Sequence, residues 1–144
     1  MIGLASTPEE ASEMSQDVPK LAFVSEPQDY KTVTGRNTQK DEIDIVVRIM
    51  SMGTLHKAYA VTGAICTTGA AKIKGTVVNE MLSEKALDAK EIRLGHPGGI
   101  ISVGTELEKN ENSYEYKEAV LGRTARRLMD GHVYVPEKCF HKVG

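Results

Sequence analysis

The feature that most constrains this chain is a run of small residues, Thr62-Gly63-Ala64-Ile65-Cys66-Thr67-Thr68-Gly69-Ala70-Ala71-Lys72-Ile73, closed by Lys74-Gly75. Alanine favours the helix, and a cation followed by glycine stops one, so the run predicts a helix over 62–73. Side chains this small let other elements come close to the helix backbone, which predicts a central helix. Its start at Thr62-Gly63 is then the end to watch. Unpaired N–H groups and the positive end of the helix dipole make an anion site there without any charged side chain. The bland reading is that Thr62 simply caps the helix; Gly63 tilts toward close ligand approach. Cys66, one turn in, reads as a buried small hydrophobe rather than a nucleophile.

Upstream, residues 7–18 are polar and acidic and read as a helix end or loose leader. Lys20 to Val24 is a strand pattern closed by Ser25-Glu26-Pro27, and Gln28 to Asn37 reads as a loop. Thr38-Gln39-Lys40-Asp41 has the capping-box spacing just before Ile43, Val46, Val47 and Met50, a pattern that predicts an amphipathic helix. Ser51 to Tyr59 reads as a loop or short strand. Downstream the chain reads as β: strands at Glu91–Leu94, Ile100–Val103 and Tyr116–Leu121, a turn at Gly95-His96-Pro97-Gly98-Gly99, and a polar hairpin loop at Glu108–Ser113. Asp130-Gly131 ahead of Val133-Tyr134-Val135 is a two-residue hairpin signal, ended by Pro136.

Composition excludes several functions. The 144 residues carry 18 Lys+Arg against 20 Asp+Glu, and 40% are hydrophobic. This is one domain's worth of chain with enough apolar residues for a core, and a net charge of −2 creates no basic field for nucleic acid or anionic membrane. No apolar run approaches the roughly 18 residues of a membrane helix, and no basic stretch with an apolar core marks a secretory leader. Cys66 and Cys139 form neither a CxxC pair nor a disulfide framework, so a reducing cytoplasm is expected. His132, Cys139 and His141 lack the paired spacing of a metal site, and no Gly-Lys-Ser/Thr follows Gly63 and Gly69 to make a phosphate loop.

Three groups carry candidate chemistry. The helix start offers Thr62, Gly63 and Ala64. The segment Ser51-Met52-Gly53-Thr54-Leu55-His56-Lys57 brings an imidazole and an ammonium near that start, and histidine is the usual acid–base residue near neutral pH, although His-Lys pairs are mostly surface decoration. The turn at His96, Gly98 and Gly99 lets backbone approach a ligand, or simply joins two strands. Arg123, Arg126 and Arg127 could clamp a carboxylate, but neighbours on a strand point to opposite faces, so at most one or two would serve.

Taken together, Arg48 to Gly75 (RIMSMGTLHKAYAVTGAICTTGAAKIKG), Thr76-Val77-Val78, Arg93-Leu94-Gly95-His96-Pro97-Gly98-Gly99 and Gly122 to Gly131 resemble the PrpF-type isomerases. That family includes methylaconitate and methylitaconate isomerases and oxalomesaconate tautomerases. The resemblance runs from about Lys20 to Pro136. Gly98 departs from it, since the family usually has serine there, so the resemblance carries no hydroxyl contact to this position.

The resemblance implies an α+β, diaminopimelate-epimerase-like lobe, a mixed sheet wrapped around a central helix. Two such lobes bind substrate between facing helix N-termini. It divides the chain into a leader (1–19), a C-terminal lobe (20–121), a closing hairpin that returns to the other lobe (122–136) and a tail (137–144). It implies a cofactor-independent double-bond shift on an unsaturated di- or tricarboxylate, with substrate binding by Ser51, Met52, Gly53, His56, Lys57, Thr62, Gly63 and Ala64, and His96, Gly98 and Gly99 as a pocket turn. No catalytic residue is implied on this chain, because the family's cysteine and lysine belong to the first lobe, and members are more than twice this length. Ala60 stands where the epimerases place a thiol, which disfavours a two-thiol racemase. The implied partners are a small carboxylate and the N-terminal half of the same enzyme, with homo-oligomerisation open. A non-catalytic module binding small carboxylates or a protein partner is the alternative.

Overall fold

Ile45-Val46-Val47-Arg48-Ile49-Met50-Ser51 is a central strand, β4 (Ile45–Ser51), in the computed structural model, which describes residues 5–15, 18, 20–111, 113–122 and 125–139. This corrects the amphipathic helix expected over Ile43–Met50. Four of the seven residues are β-branched and stiff at χ1, which suits a pleated surface better than a helix. Ile43, Ile45 and Val47 are fully buried and Val46 and Ile49 nearly so, a continuous buried run in which helical spacing occurs by coincidence. The capping signal is also displaced by one residue. The Glu42 carboxylate accepts the Gln39 N–H at 2.8 Å and closes a single 3₁₀ turn, Lys40–Glu42. Ile43 is already extended, at φ −128° and ψ 164°.

The other elements are α1 (Pro8–Met14), β1 (Ala22–Ser25), β2 (Tyr30–Lys31), β3 (Asn37–Thr38), β5 (Thr54–Leu55), α2 (Val61–Ala71), α3 (Val77–Glu80), β6 (Glu91–His96), β7 (Gly99–Lys109) and β8 (Tyr114–Leu121). Helix α1 starts at Thr7, whose hydroxyl accepts the Glu10 N–H, and it buries no side chain. The main sheet runs β1-β4-β6-β7-β8, with β5 added to β4. The β4–β6 pair is parallel and every other pair antiparallel, so the sheet is mixed. The segment Gln28–Asn37, expected as a loop, contains β2, which pairs with β3 in a separate two-stranded ribbon.

Helix α2 packs its small face on this sheet. Ala64, Thr67, Thr68, Gly69 and Ala71 are buried, and the core joins Ala64 and Ala71 to Ile45, Val47, Ile49, Ile92, Leu94 and Val103. A Cβ on Gly69 would overlap the Tyr116 hydroxyl, so glycine here lets β8 cross the helix at close range. Thr76 then caps α3 by accepting the Asn79 N–H.

Val133-Tyr134-Val135, expected as a strand after Asp130-Gly131, pairs with no described residue. Val133 and Tyr134 are 86% and 97% exposed. An apolar strand needs a ladder partner, and none of the described residues supplies one. Among the described residues no helix is long and apolar enough to cross a membrane.

Candidate functional site

Strand β4 has two neighbours on one edge and a gap between them. Strand β1 holds the other edge along Val46–Ile49, and Met50 N–H still donates to Leu21 O beyond it. Strand β6 pairs with Ile45 and Val46, while β5 pairs with Met50 and Ser51, so Val47 to Ile49 have no strand partner on their shared side. Two backbone segments meet at that gap, and a third packs on the face of β4 at Ile49.

From β5 comes His56, whose N–H donates to Ile49 O at 2.9 Å. Strand β5 can fold back so sharply because Met52 and Gly53 both adopt positive φ, 52° and 74°, the combination a two-residue hairpin requires. The turn places Ser51 at its base and leaves Met52 exposed. His56 Nδ1 accepts the Ala58 N–H at 3.1 Å, so its proton is carried on Nε2.

From β6 comes His96. Its Nδ1 accepts the Gly98 N–H at 3.1 Å, which again places the proton on Nε2. Burial, the Arg48 cation and His56, in that order, push the imidazole below its ordinary value and favour the neutral form. The turn is pinned from outside: Tyr30 Oη lies 2.7 Å from Gly99 O and 3.0 Å from His96 O, and Val33 N–H donates to Pro97 O at 2.8 Å. The expected five-residue turn is thus tighter, since His96 pairs with Gly99 across Pro97-Gly98. A Cβ on Gly98 would lie 3.1 Å from Lys57 O, so the two candidate segments touch here.

The third segment is the first turn of α2. The cap position is Ala60 and no side chain caps the helix, which removes the bland reading of Thr62 as a cap. Thr62 is the second residue of the helix and exposed, with Gly63 half-buried behind it. Ala64 is fully buried and its N–H donates to Ala60 O at 2.8 Å, whereas the N–H groups of Val61, Thr62 and Gly63 find no acceptor among the described residues. The Cβ that Gly63 lacks would meet Ile49 Cδ1 at 2.8 Å, so the helix start sits directly on the face of β4 at Ile49. A cleft of about 250 Å³ opens against this turn on the β1 side of Ile49, lined by Lys20, Ala22, Ile49, Tyr59, Gly63 and Cys66 among others, and not by Arg48, His56 or His96. Cys66 is exposed there, correcting its expected burial, because the outer face of α2 has no covering element among the described residues.

One residue that sequence reasoning did not single out fills the gap. Arg48 reaches into the gap, donating through Nη1 to Val47 O at 2.7 Å and Gly95 O at 3.1 Å, and lies 4.9 Å over the Tyr30 ring. The available signal was a cation interrupting an otherwise apolar run. The other basic candidates go elsewhere: Arg127 pairs with Asp130 at 3.0 Å, Arg126 is exposed, and Arg123 lies outside the described residues, as does His141. No group of three His, Cys, Asp or Glu among the described residues is placed to hold a metal.

The arrangement offers free backbone N–H groups, two imidazole Nε2–H donors and the Arg48 cation, which is chemistry for holding carboxylate oxygens. The model of the PrpF protein family matches residues 1–136. This chain belongs to the PrpF family. It is 44% identical over 135 residues to the 3-methylitaconate isomerase of Eubacterium barkeri, covering 93% of this chain and 34% of that protein. It is 37% identical over 139 residues to the 2-methyl-aconitate isomerase of Cupriavidus necator, covering 96% of this chain and again 34% of the relative. The crystal structure of a methylitaconate-delta-isomerase superposes with a TM-score of 0.73 at 43% identity, over 95% of this chain and 34% of that one. The α+β lobe implied by the resemblance is therefore the fold, and the chain spans about a third of the length of the PrpF relatives it matches.

Proposed function

We propose that this chain is the C-terminal part of a cofactor-independent, cytoplasmic isomerase that shifts a double bond in an unsaturated di- or tricarboxylate. The single observation that carries the reading is the uncapped first turn of α2, where the Val61, Thr62 and Gly63 N–H groups find no acceptor among the described residues. These donors hold a substrate carboxylate and stabilise the dienolate charge that develops as a carbon-bound proton leaves. His56, Lys57 and the His96–Gly99 turn line the pocket, and the Met52-Gly53 hairpin with Ser51 forms its rim. Neither imidazole is placed to remove the proton, because each uses Nδ1 to accept a backbone N–H. The proton-transfer groups belong to the N-terminal part of the enzyme, which is the chain's partner.

The experiment is a titration of the 15N-labelled chain with 3-methylitaconate, followed by a deuterium-exchange assay in deuterated water. Binding that moves the Thr62 and Gly63 amides without deuterium entering the ligand is the expected result. Exchange catalysed by the chain alone would overturn the assignment of the proton-transfer groups elsewhere, and unmoved amides would overturn the binding site.

A further inference from the structure

Three carbonyls of the His96–Gly99 turn are held from one direction. The Tyr30 hydroxyl donates to Gly99 O at 2.7 Å and to His96 O at 3.0 Å, and the Val33 N–H donates to Pro97 O at 2.8 Å. Tyr30 lies on β2 and Val33 in the loop that leads to β3. The ribbon is itself fixed: Tyr30 pairs with the fully buried Thr38, and the Asp29 carboxylate accepts the Lys40 N–H at 2.7 Å. Glycine at position 95 makes room for the ring, since a Cβ there would lie 3.2 Å from Tyr30 Cε1 and 2.8 Å from Ile43 Cδ1. With that face of β6 taken at Gly95, the next residue, His96, projects to the opposite face, where Ile92 and Leu94 join the core with Ala64 and Ala71 of α2. There its Nδ1 accepts the Gly98 N–H at 3.1 Å. That bond closes only while the Pro97-Gly98 peptide keeps its orientation, and the flanking carbonyls are the handles by which the ribbon keeps it.

We infer that Tyr30 is the positioning residue of His96: its hydroxyl, bonded from the far face of the sheet, holds the 96–99 turn so that the imidazole keeps Nδ1 on the Gly98 N–H and carries its proton on Nε2. Tyr30 acts through the turn and touches no ligand. The inference rests on the proposed function for the use of the turn as a pocket wall, and on the hydrogen bonds alone for the positioning. A neutral imidazole held in one tautomer presents a donor at a fixed place, whereas one free to change tautomer presents an acceptor there part of the time. Without the hydroxyl the ring still packs at Gly95 and under the Arg48 guanidinium, but the carbonyls of His96 and Gly99 lose their shared donor. The charged and titratable groups that face the imidazole are Arg48 from β4, His56 from the segment after β5 and Tyr30 from the ribbon.

The test uses the full chain labelled with 15N, first without ligand. In Tyr30→Phe the two His96 ring nitrogens, resolved by their couplings to the ring protons, should lose the pure Nε2–H signature. The His96 titration should move up toward the ordinary 6.5, and the Gly98 amide should exchange about tenfold faster. The Arg48 Nε–H signal should stay in place, because the ring remains. p-Aminophenylalanine in place of Tyr30, which donates from the same ring position, should restore the parent tautomer and titration. A lower melting temperature in Tyr30→Phe with an unchanged His96 tautomer and titration would overturn the inference and leave Tyr30 a purely structural residue, and so would failure of the amine to restore them. Titration with 3-methylitaconate then separates the two readings. Binding about fivefold weaker in Tyr30→Phe, the scale of one ordinary hydrogen bond, is expected. If His96 and Gly98 respond to the substitution while the affinity does not, the positioning role stands and the turn is no part of the pocket.

Discussion

Asp44 is buried, and it accepts from Arg93 three times, through the backbone N–H at 2.8 Å, Nε at 3.0 Å and Nη2 at 2.7 Å. Burial alone would raise its carboxyl; the Arg93 hydrogen bonds and charge, with help from Lys85, outweigh burial and hold it below its ordinary value. A carboxyl lowered by folding stabilises the protein above its unfolded value, and that contribution is lost as pH falls through the folded one. Arg93→Ala should therefore cost about 3 kcal/mol at pH 7, because a buried carboxylate loses its cation. Urea midpoints should show a smaller cost at pH 3; an equal cost at both would mean that the charge pair is not the source. His96 has the opposite chemistry and the same sign with pH. Its folded value lies below the ordinary 6.5, so its contribution is complete above about pH 6.5 and declines as pH falls below it toward the folded value. His96→Gln, which cannot become charged, should flatten the drop in melting temperature between pH 7.5 and pH 5.5. A drop as steep as that of the parent chain would assign the slope to other groups. Of these roles, only His96 was visible as a candidate in the sequence; Arg48 and Arg93 were not, because what each one meets is set by strands distant in sequence.

The elements divide by how local their determinants are. Helix α2 was legible because its small residues and its stop signal are contiguous, and the structure places it at Val61–Ala71. Strands β1, β6, β7 and β8 were legible from alternation and turns, although β7 extends six residues beyond the expected Ile100–Val103 to Lys109. Strand β4 was misread, since a fully buried apolar run satisfies helical and strand spacing alike. Its contact with α2 provides a test of how the two fit. Ile49 Cδ1 occupies the place that a Cβ on Gly63 would claim. Ile49→Ala should cost about 3 kcal/mol by opening a cavity in the core, and Gly63→Ala should destabilise by pushing Ile49 aside. In a double-mutant cycle the pair should cost clearly less than the two single changes together, because the new methyl fills the vacated space. Strict additivity would place the helix start away from Ile49.

At the scale of the whole molecule, a set of apolar side chains is left uncovered among the described residues. Tyr114, Tyr116 and Val120 on the edge strand β8 are exposed, and Leu128, Met129, Val133 and Tyr134 are 80% exposed or more. In solution such a surface seeks a strand partner or a second copy. Ending the chain after Gly122 should reduce self-association in sedimentation while leaving the melting temperature within about 4 °C, since residues 125–137, among those removed, are exposed. A large fall in melting temperature would show that the tail packs on the lobe. By itself the sequence determined the small-residue helix, most of the strands, the turns and the kinship with the PrpF family, all of which depend on contiguous residues or on their order. Only the tertiary structure decided that β4 is a strand with an unfilled stretch on one edge, that α2 is uncapped, and that Arg48 reaches into the opening beside two imidazoles. Those outcomes depend on which segments meet across as many as fifty residues of chain, and local propensity does not encode such meetings.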